Sequence, residues 1–170
     1  LAGRNKFFAG ERRGGFPWSG GFFCRNDTAV LPVKLANYGR AVDLTVRIAD
    51  NLRALADSLR SVTLGVVLFG VREGDQLEVQ FNGATLQPIL RDPDWKDRQI
   101  HSPGPQPNTC MLLLPEVNPH QKLLRMDYTV PPGLCKVGEN QASVRILDRV
   151  PYETGQDIVV EKLEVHLEYA

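Results

Sequence analysis

The chain has 170 residues, and 20 Lys and Arg side chains balance 20 Asp and Glu side chains, so the formal net charge is zero. This length fits one domain that can bury a substantial core. The balanced charge argues against a nucleic-acid-binding protein, which normally carries a basic excess, and against an acidic disordered segment. Because no run of 18 apolar residues occurs, we also expect no membrane-spanning helix.

The two ends of the chain differ in composition from the middle. Residues 1–40 carry a net charge of +5, since seven basic side chains face two acidic ones, whereas residues 151–170 carry −4, from one basic and five acidic side chains. The first segment is also rich in glycine and aromatic residues. We therefore predict an irregular N-terminal arm or linker over 1–28 and a β-sandwich domain over 29–170. The opposite charges suggest that the arm lies against the acidic side of the domain.

From residue 41 onward, apolar residues mostly alternate with polar ones, which predicts strands that bury one face. The segment 61–69 (SVTLGVVLF) is apolar on both faces and predicts a central strand. The other predicted strands lie at 44–48, 77–81, 111–114, 123–130, 143–146 and 163–169. This pattern predicts an all-β fold, a two-sheet antiparallel β-sandwich.

Two segments depart from the alternation. In 51–58 the leucines and an alanine follow helical spacing, and Asp50 or Asn51 could cap the first turn, so we predict one short helix there. The long connection 87–108 contains several prolines and predicts an ordered loop, because long connections in compact domains commonly carry function.

The sequence contains no recognisable catalytic motif. It has no Gly-x-Ser-x-Gly, His-Glu-x-x-His or phosphate-binding glycine loop, and its histidines, His101, His120 and His166, are dispersed. The three cysteines lack the C-x-x-C spacing of zinc and redox sites, and we expect them to act as small apolar residues. We therefore predict that the chain alone is not an enzyme, with no catalytic residues, no metal site and no cofactor.

The strongest binding candidates lie around the two tryptophans. Trp95, with Arg91, Asp92 and Asp94 beside it, combines an aromatic ring with the planar charged groups that sugar hydroxyls require. Trp18 is a weaker second candidate. The alternative is that Trp95 closes one end of the sandwich and Trp18 docks the arm, because tryptophan is usually well buried.

The same acidic segment, 92–97, offers oxygen ligands of the kind that Ca²⁺ takes. It lacks the spacing of an established calcium loop. A structural calcium ion therefore remains an alternative to the absence of any cofactor.

Three groups of motifs carry a resemblance to a known family. They are L-x-S-V-T-L at 59–64, R-E-G-D-Q-L-E-V-Q-F-N-G at 72–83, and Y-T-V-P-P at 128–132 followed by V-G-E-N-Q-A-S-V at 137–144. Together they resemble the galactose-binding-like jelly-roll domain that often lies at the C-terminus of bacterial multidomain glycoside hydrolase-like proteins. The resemblance covers about residues 30–170.

This resemblance implies a non-catalytic accessory domain of a larger carbohydrate-active protein. Its expected partners are an adjacent domain of the same protein and a weakly bound glycan, with no nucleic acid and no membrane. Such a parent protein would be secreted or periplasmic. The alternative is a protein-interaction or dimerisation module, since a strand that is apolar on both faces must be central or covered by a partner.

Overall fold

The computed structural model describes residues 3–14, 22–25, 30–36, 39–97, 100, 122–151 and 157–170. Strands make up most of these residues, and a 3-10 turn occupies Pro132–Leu134. The strands are β1 (Arg4–Phe8), β2 (Glu11–Gly14), β3 (Phe22–Arg25), β4 (Val33–Lys34), β5 (Val42–Ile48), β6 (Leu59–Phe69), β7 (Gln76–Phe81), β8 (Ala84–Thr85), β9 (Pro88–Trp95), β10 (Leu123–Thr129), β11 (Gly138–Asp148) and β12 (Val159–Tyr169).

These strands form two packed sheets and a separate hairpin. Sheet I has the order β1-β12-β6-β10-β9, and β4 pairs with the first residues of β12. Sheet II has the order β5-β11-β7-β8, and β2 pairs with β3. Neighbouring strands run antiparallel. The predicted all-β class and two-sheet antiparallel sandwich are therefore confirmed.

The core fills the space between the two sheets. Alternate residues of β6, β12, β5 and β11 point inward, and many of them are fully buried. The central position of β6, between β12 and β10, confirms the prediction from its apolar faces. One row of its side chains enters the main core, and the opposite face contributes Val67 to a small cluster with Ile100 and Leu123.

The N-terminal segment forms regular strands, so the prediction of an irregular arm is wrong for the residues described there. β1 is an edge strand of sheet I and pairs with β12. Arg4 Nε lies 3.1 Å from Glu168 Oε1, and Lys6 Nζ lies 3.7 Å from Glu164 Oε2. The predicted contact between the basic segment and the acidic final strand is therefore confirmed. The boundary at residue 28 stays a prediction.

The predicted short helix over 51–58 is also wrong, because residues 52–58 form turns. The N–H of Leu55 donates to the Asn51 carbonyl and that of Leu59 to the Leu55 carbonyl, but no continuous helical ladder follows. Asn51 Oδ1 accepts a bond from the Ala54 N–H at 3.3 Å, as a capping residue would. Only Leu52 is buried, while Leu55 is 38% exposed, so too little packing stabilises a helix of this length.

The predicted loop 87–108 begins as a strand instead. Residues 88–95 form β9, which pairs with β10 on one side and is the edge of sheet I. Pro88 and Pro93 favour irregular structure in a sequence, but proline is tolerated on an edge strand because its missing N–H can face solvent. The predicted strand 111–114 lies outside the described residues.

No helix in the described part of the chain is long and apolar enough to cross a membrane.

Candidate functional site

Among the described residues, the outer face of sheet I, the face turned away from sheet II, is a polar and semi-buried surface. Paired residues on neighbouring strands point to the same side of a sheet, so the strand register places charged and hydroxyl side chains together. The outer-face residues are Arg4, Lys6 and Phe8 of β1, Lys162, Glu164, His166 and Glu168 of β12, Ser61, Thr63, Gly65, Val67 and Phe69 of β6, Leu123, Arg125, Asp127 and Thr129 of β10, and Asp92 and Trp95 of β9.

Trp95 lies at the apolar end of this face. It packs against the small cluster of Val67, Ile100 and Leu123. The guanidinium carbon of Arg125 lies 4.5 Å from the centroid of the Trp95 ring, which is a cation–π distance. One face of the ring is therefore covered, and Trp95 is not an open stacking platform on that side.

Arg125 also pairs with a carboxylate two residues along the same strand. Its Nε donates to Asp127 Oδ1 at 2.9 Å, and the two side chains are only 14% and 16% exposed. The series Trp95–Arg125–Asp127 thus runs over the sheet surface as one connected group. Because Arg125 contacts both Trp95 and Asp127, the guanidinium and carboxylate groups have fixed positions on the sheet.

Gly65 makes room for this group. A β-carbon added at Gly65 would lie 3.1 Å from Asp127 Oδ1 and 3.2 Å from Arg125 Nη2, which is closer than ordinary contact. The glycine interrupts a β-branched central strand, and the close approach of a neighbouring group is a common reason for such a residue. The absence of a side chain here lets the ion pair lie flat on the sheet.

A second charged group lies across β6 from the first. Nε2 of His166 lies 2.9 Å from Glu164 Oε2, and the ammonium group of Lys6 lies 3.7 Å from the same oxygen. Burial alone would raise the pKa of Glu164, but the hydrogen bond with His166 and the charges of Lys6, His166 and Lys162 lower it to about 2. The Glu164 carboxylate is therefore held ionised at the centre of several cationic groups.

The face continues toward Lys162, whose side chain is 4% exposed. Its Nζ lies 2.9 Å from Asp97 Oδ2. At the opposite end, Ser61 Oγ donates to Glu168 Oε2 at 3.3 Å. The outer face thus presents alternating cations, carboxylates and hydroxyl groups over several strands.

We expect Glu164→Gln to remove an acid-sensitive part of the stability. Because the folded pKa of Glu164 is below its ordinary value of 4.5, its ionised form stabilises the fold above about pH 4.5, and this contribution is lost as the pH falls toward 2. The shift corresponds to about 3 kcal/mol. Urea unfolding of the wild type and the variant between pH 7 and pH 2 measures the difference.

Glu168→Gln is the matched control, because Glu168 lies on the same strand and face but its side chain is 45% exposed. We expect this variant to retain most of the acid sensitivity of the wild type. Equal pH dependence for the wild type and Glu164→Gln would contradict the assignment of a strongly stabilised carboxylate.

The structure brings some of the predicted site residues together and separates others. Trp95 and Asp92 lie on the outer face, because they pair with Leu123 and Arg125 of β10. Asp92 Oδ1 accepts a bond from the Asp94 N–H at 3.0 Å, so these two are joined locally. Arg91 pairs with Met126 and points to the other side of β9.

Trp18 lies outside the described residues. For all five predicted residues, a binding role stays a prediction.

Sequence reasoning missed Arg125 and Asp127, which connect Trp95 to the centre of the face. In the sequence they are simply the polar side of a predicted strand. A signal was present, because residues two apart on a strand share a face, and opposite charges at that spacing can pair.

No group of three or more His, Cys, Asp or Glu side chains that could hold a metal ion occurs among the residues that the structure describes. In the acidic segment, Asp97 forms a salt bridge with Lys162, and Asp92 accepts a hydrogen bond from the Asp94 N–H of the same strand. Cys135 is free, and burial raises the pKa of its thiol to about 11, which makes it unreactive at neutral pH.

Comparison with known proteins gives a likeness in structure alone. No protein-family model matches the chain, and no curated protein sequence matches it. Among solved structures, it is similar to a β-porphyranase of glycoside hydrolase family 86 from the human gut bacterium Bacteroides plebeius. The TM-score is 0.51, the sequence identity is 12%, and the match covers 98% of this chain and 21% of that chain.

This likeness establishes a shared fold. The chain spans about a fifth of the length of the porphyranase, so the match concerns one part of a much longer protein.

Proposed function

We propose that this chain is a non-catalytic accessory β-sandwich domain of a larger carbohydrate-active protein. The observation that carries the proposal is the structural match, which takes in nearly the whole chain but only about a fifth of the length of a glycoside hydrolase. The galactose-binding-like jelly roll is the finer form of this proposal. The expected partner is an adjacent domain of the same protein.

We propose weak glycan binding as a further part of this function, with the outer face of sheet I as the contact surface. Its charged groups are planar or rigidly held, and such groups orient sugar hydroxyls. The exposed polar groups of this face, and not the buried Nε1 of Trp95, are the expected contacts of a sugar. Because Arg125 covers one side of the Trp95 ring, we expect sugar binding to depend more on hydrogen bonds with the charged side chains than on stacking against the ring.

Titration of the labelled chain with neutral galactan oligosaccharides, followed through its amide NMR signals, tests this proposal. We expect binding with a Kd of about 1 mM, which corresponds to about −4 kcal/mol, and shifts that concentrate on β10 and β12. Asp127→Asn should weaken binding about fivefold, the value of one hydrogen bond of about 1 kcal/mol. Glu139→Gln is the control, because Glu139 is an exposed residue of sheet II that pairs with Arg47.

Two results would contradict the glycan role. One is the absence of shifts with every oligosaccharide, and the other is an equal loss of affinity in the two variants. The scaffold role would remain after either result. Hydrolysis of the same oligosaccharides by the chain alone would contradict the non-catalytic assignment.

A protein-interaction module is the second candidate function. The apolar character of β6 no longer supports it, since β6 is covered on both sides by neighbouring strands of its own sheet. The edge strand β9 supports it instead, because Ile89 and Leu90 are 61% and 46% exposed. Sedimentation at high concentration decides between self-association and a monomer.

A further inference from the structure

We propose that a cleft beside the edge strand β9 is a second binding site, which accepts the acidic group of an anionic glycan. The cleft has a volume of about 390 Å³ and lies on the side of β9 that faces away from Asp92 and Trp95. It is lined by Val71, Arg72, Glu73, Arg91, Pro93, Lys122 and Leu124.

The cleft has an excess of positive charge although the chain as a whole is neutral. Its lining carries three cationic side chains, those of Arg72, Arg91 and Lys122, and one carboxylate, that of Glu73. Clefts lined by one sign of charge concentrate the field and attract ligands of the opposite sign. Guanidinium groups in particular match the planar or tetrahedral oxygens of carboxylate and sulfate groups.

The three cations come from separate parts of the chain. Arg72 follows the end of β6, Arg91 lies within β9, and Lys122 directly precedes β10. Their convergence on one cleft therefore depends on the folded structure and is not a run of basic residues along the sequence. The unfolded chain would not offer this site.

The segment that presents Arg72 and Glu73 is anchored to the neighbouring loop. The Arg72 N–H donates to Asp75 Oδ2 at 2.9 Å, and the Val150 N–H donates to Asp75 Oδ1 at 2.9 Å. The side chain of Asp75 is fully buried. This carboxylate holds the backbone of the turn, so the wall of the cleft is preorganised and less ordering is required on binding.

The remaining lining supplies apolar surface. Val71, Pro93 and Leu124 border the same space as the cations. A ligand that suits this lining combines an anionic group with a C–H face, which describes an acidic sugar unit. The choice of a sugar rests on the proposed function, whereas the preference for an anion rests on the cleft itself.

Binding of three oligosaccharides to the full chain tests the inference. They are a polyuronate, a sulfated galactan and a neutral galactan of equal length, and each is measured by calorimetry and by amide NMR shifts. We expect at least one anionic ligand to bind about tenfold more tightly than the neutral one, with shifts around Arg72 and Arg91. This advantage should decrease as the salt concentration rises from about 0.02 to about 0.5 M. The uronate and the sulfated ligand distinguish a carboxylate from a sulfate ester as the recognised group.

Arg91→Ala should reduce the ratio of the affinity for the anionic ligand to that for the neutral ligand by about tenfold, the value of one charge-assisted contact. Arg53→Ala is the matched control, because Arg53 is an exposed cation of the 52–58 turn, away from the cleft. Equal binding of anionic and neutral ligands, or an equal effect of the two variants, would overturn the inference while leaving neutral glycan binding in place.

Other outcomes separate the inference from the proposed function. Binding of anionic ligands at the cleft without any binding of the neutral galactan would support the cleft and count against the glycan role of the outer face. A poly-glutamate peptide that binds at the cleft as tightly as the acidic sugars would overturn the assignment of a sugar ligand.

Discussion

Replacement of Gly70 by alanine is expected to lower the free energy of unfolding by about 4 kcal/mol, which is a large effect for one added methyl group. Gly70 follows β6 and has a φ of +82°, a backbone conformation that L-residues adopt at a cost of about 1–2 kcal/mol. A β-carbon there would also overlap the carbonyl oxygen of Asp157 and lie 3.2 Å from its carbonyl carbon.

The second contribution is large because the obstructing atoms belong to the backbone. Ile158 follows Asp157, is fully buried, and accepts a hydrogen bond from the Leu35 N–H at 2.8 Å. β12 begins at the next residue, and Val159 pairs with Phe69 of β6. Relief of the overlap would therefore displace the start of a central strand pair, and such overpacking costs about 1–3 kcal/mol.

Gly83→Ala separates the two contributions. Gly83 has a φ of +85°, nearly that of Gly70, but no atom of the described residues lies within 4 Å of the position that a β-carbon would take there. We expect a loss of about 1 kcal/mol for this variant, from the backbone conformation alone. For a domain of this size, thermal melts should show a decrease in Tm of about 8–16 °C for Gly70→Ala and of about 2–4 °C for Gly83→Ala. Equal decreases would contradict the role of the backbone contact.

The sequence predicted those strands in which the order of apolar and polar residues matches the burial of each side chain. β6 has apolar residues on both sides because its inner face enters the core and its outer face adds Val67 and Phe69 to the small cluster with Trp95. The sequence of β12 alternates because Leu163, Val165 and Leu167 enter the core while polar residues lie between them. β1 and β9 were missed because neither alternates buried and exposed residues, whereas β5, also an edge strand, does. The charges of Arg4 and Lys6 predicted contact with β12, but they could not specify strand pairing.

The candidate site was predicted in part for a similar reason. Trp95 and Asp92 were identified as residue types that bind sugars, and the structure places them on one face. Arg91, although adjacent in sequence, lies on the other side because side chains alternate along a strand. The contribution of Arg125 and Asp127 depends on the register between β9 and β10, which includes bulges that composition does not predict.

Gly65 shows which local signal could have located the site. A glycine inside a long apolar strand weakens that strand unless a neighbouring group requires the space. Here the space is used by the paired side chains of Arg125 and Asp127. A glycine in a central strand beside a charged pair on the next strand is therefore informative when the two strands are known to be neighbours.

Asn140→Ala is expected to lower the free energy of unfolding by about 3–4 kcal/mol. Asn140 is 1% exposed, and its side chain connects the start of β11 to the preceding loop. Its Oδ1 accepts a bond from the Lys136 N–H at 2.8 Å, while its Nδ2 donates to the Lys136 carbonyl at 2.7 Å and to the Gly138 carbonyl at 3.0 Å. Alanine would leave these buried backbone groups without their partners, at about 1–3 kcal/mol each when not relieved by water.

Asn140 is also hydrogen-bonded to Asn82, which lies in a second turn. Asn82 Nδ2 donates to Asn140 Oδ1 at 2.9 Å and to the Leu134 carbonyl at 2.7 Å, and Asn82 Oδ1 accepts from the Gln141 N–H at 2.9 Å. Asn82 has a φ of +47°, which asparagine tolerates better than most residues. The Asn-Gly and Gly-Glu-Asn motifs are thus parts of one hydrogen-bonded connection between two turns of sheet II.

A double-mutant cycle measures that connection directly. Asn82→Gly keeps the backbone conformation accessible and removes the amide, so it serves as the partner variant. Because the two asparagines bond to each other, we expect the loss in the double variant to be smaller than the sum of the single losses by at least about 1 kcal/mol. Gln141→Ala, at the exposed neighbouring position, should cost less than about 0.5 kcal/mol. Additive losses for the two asparagines would show that each stabilises its own turn alone, and the two motifs would then be independent features of the fold.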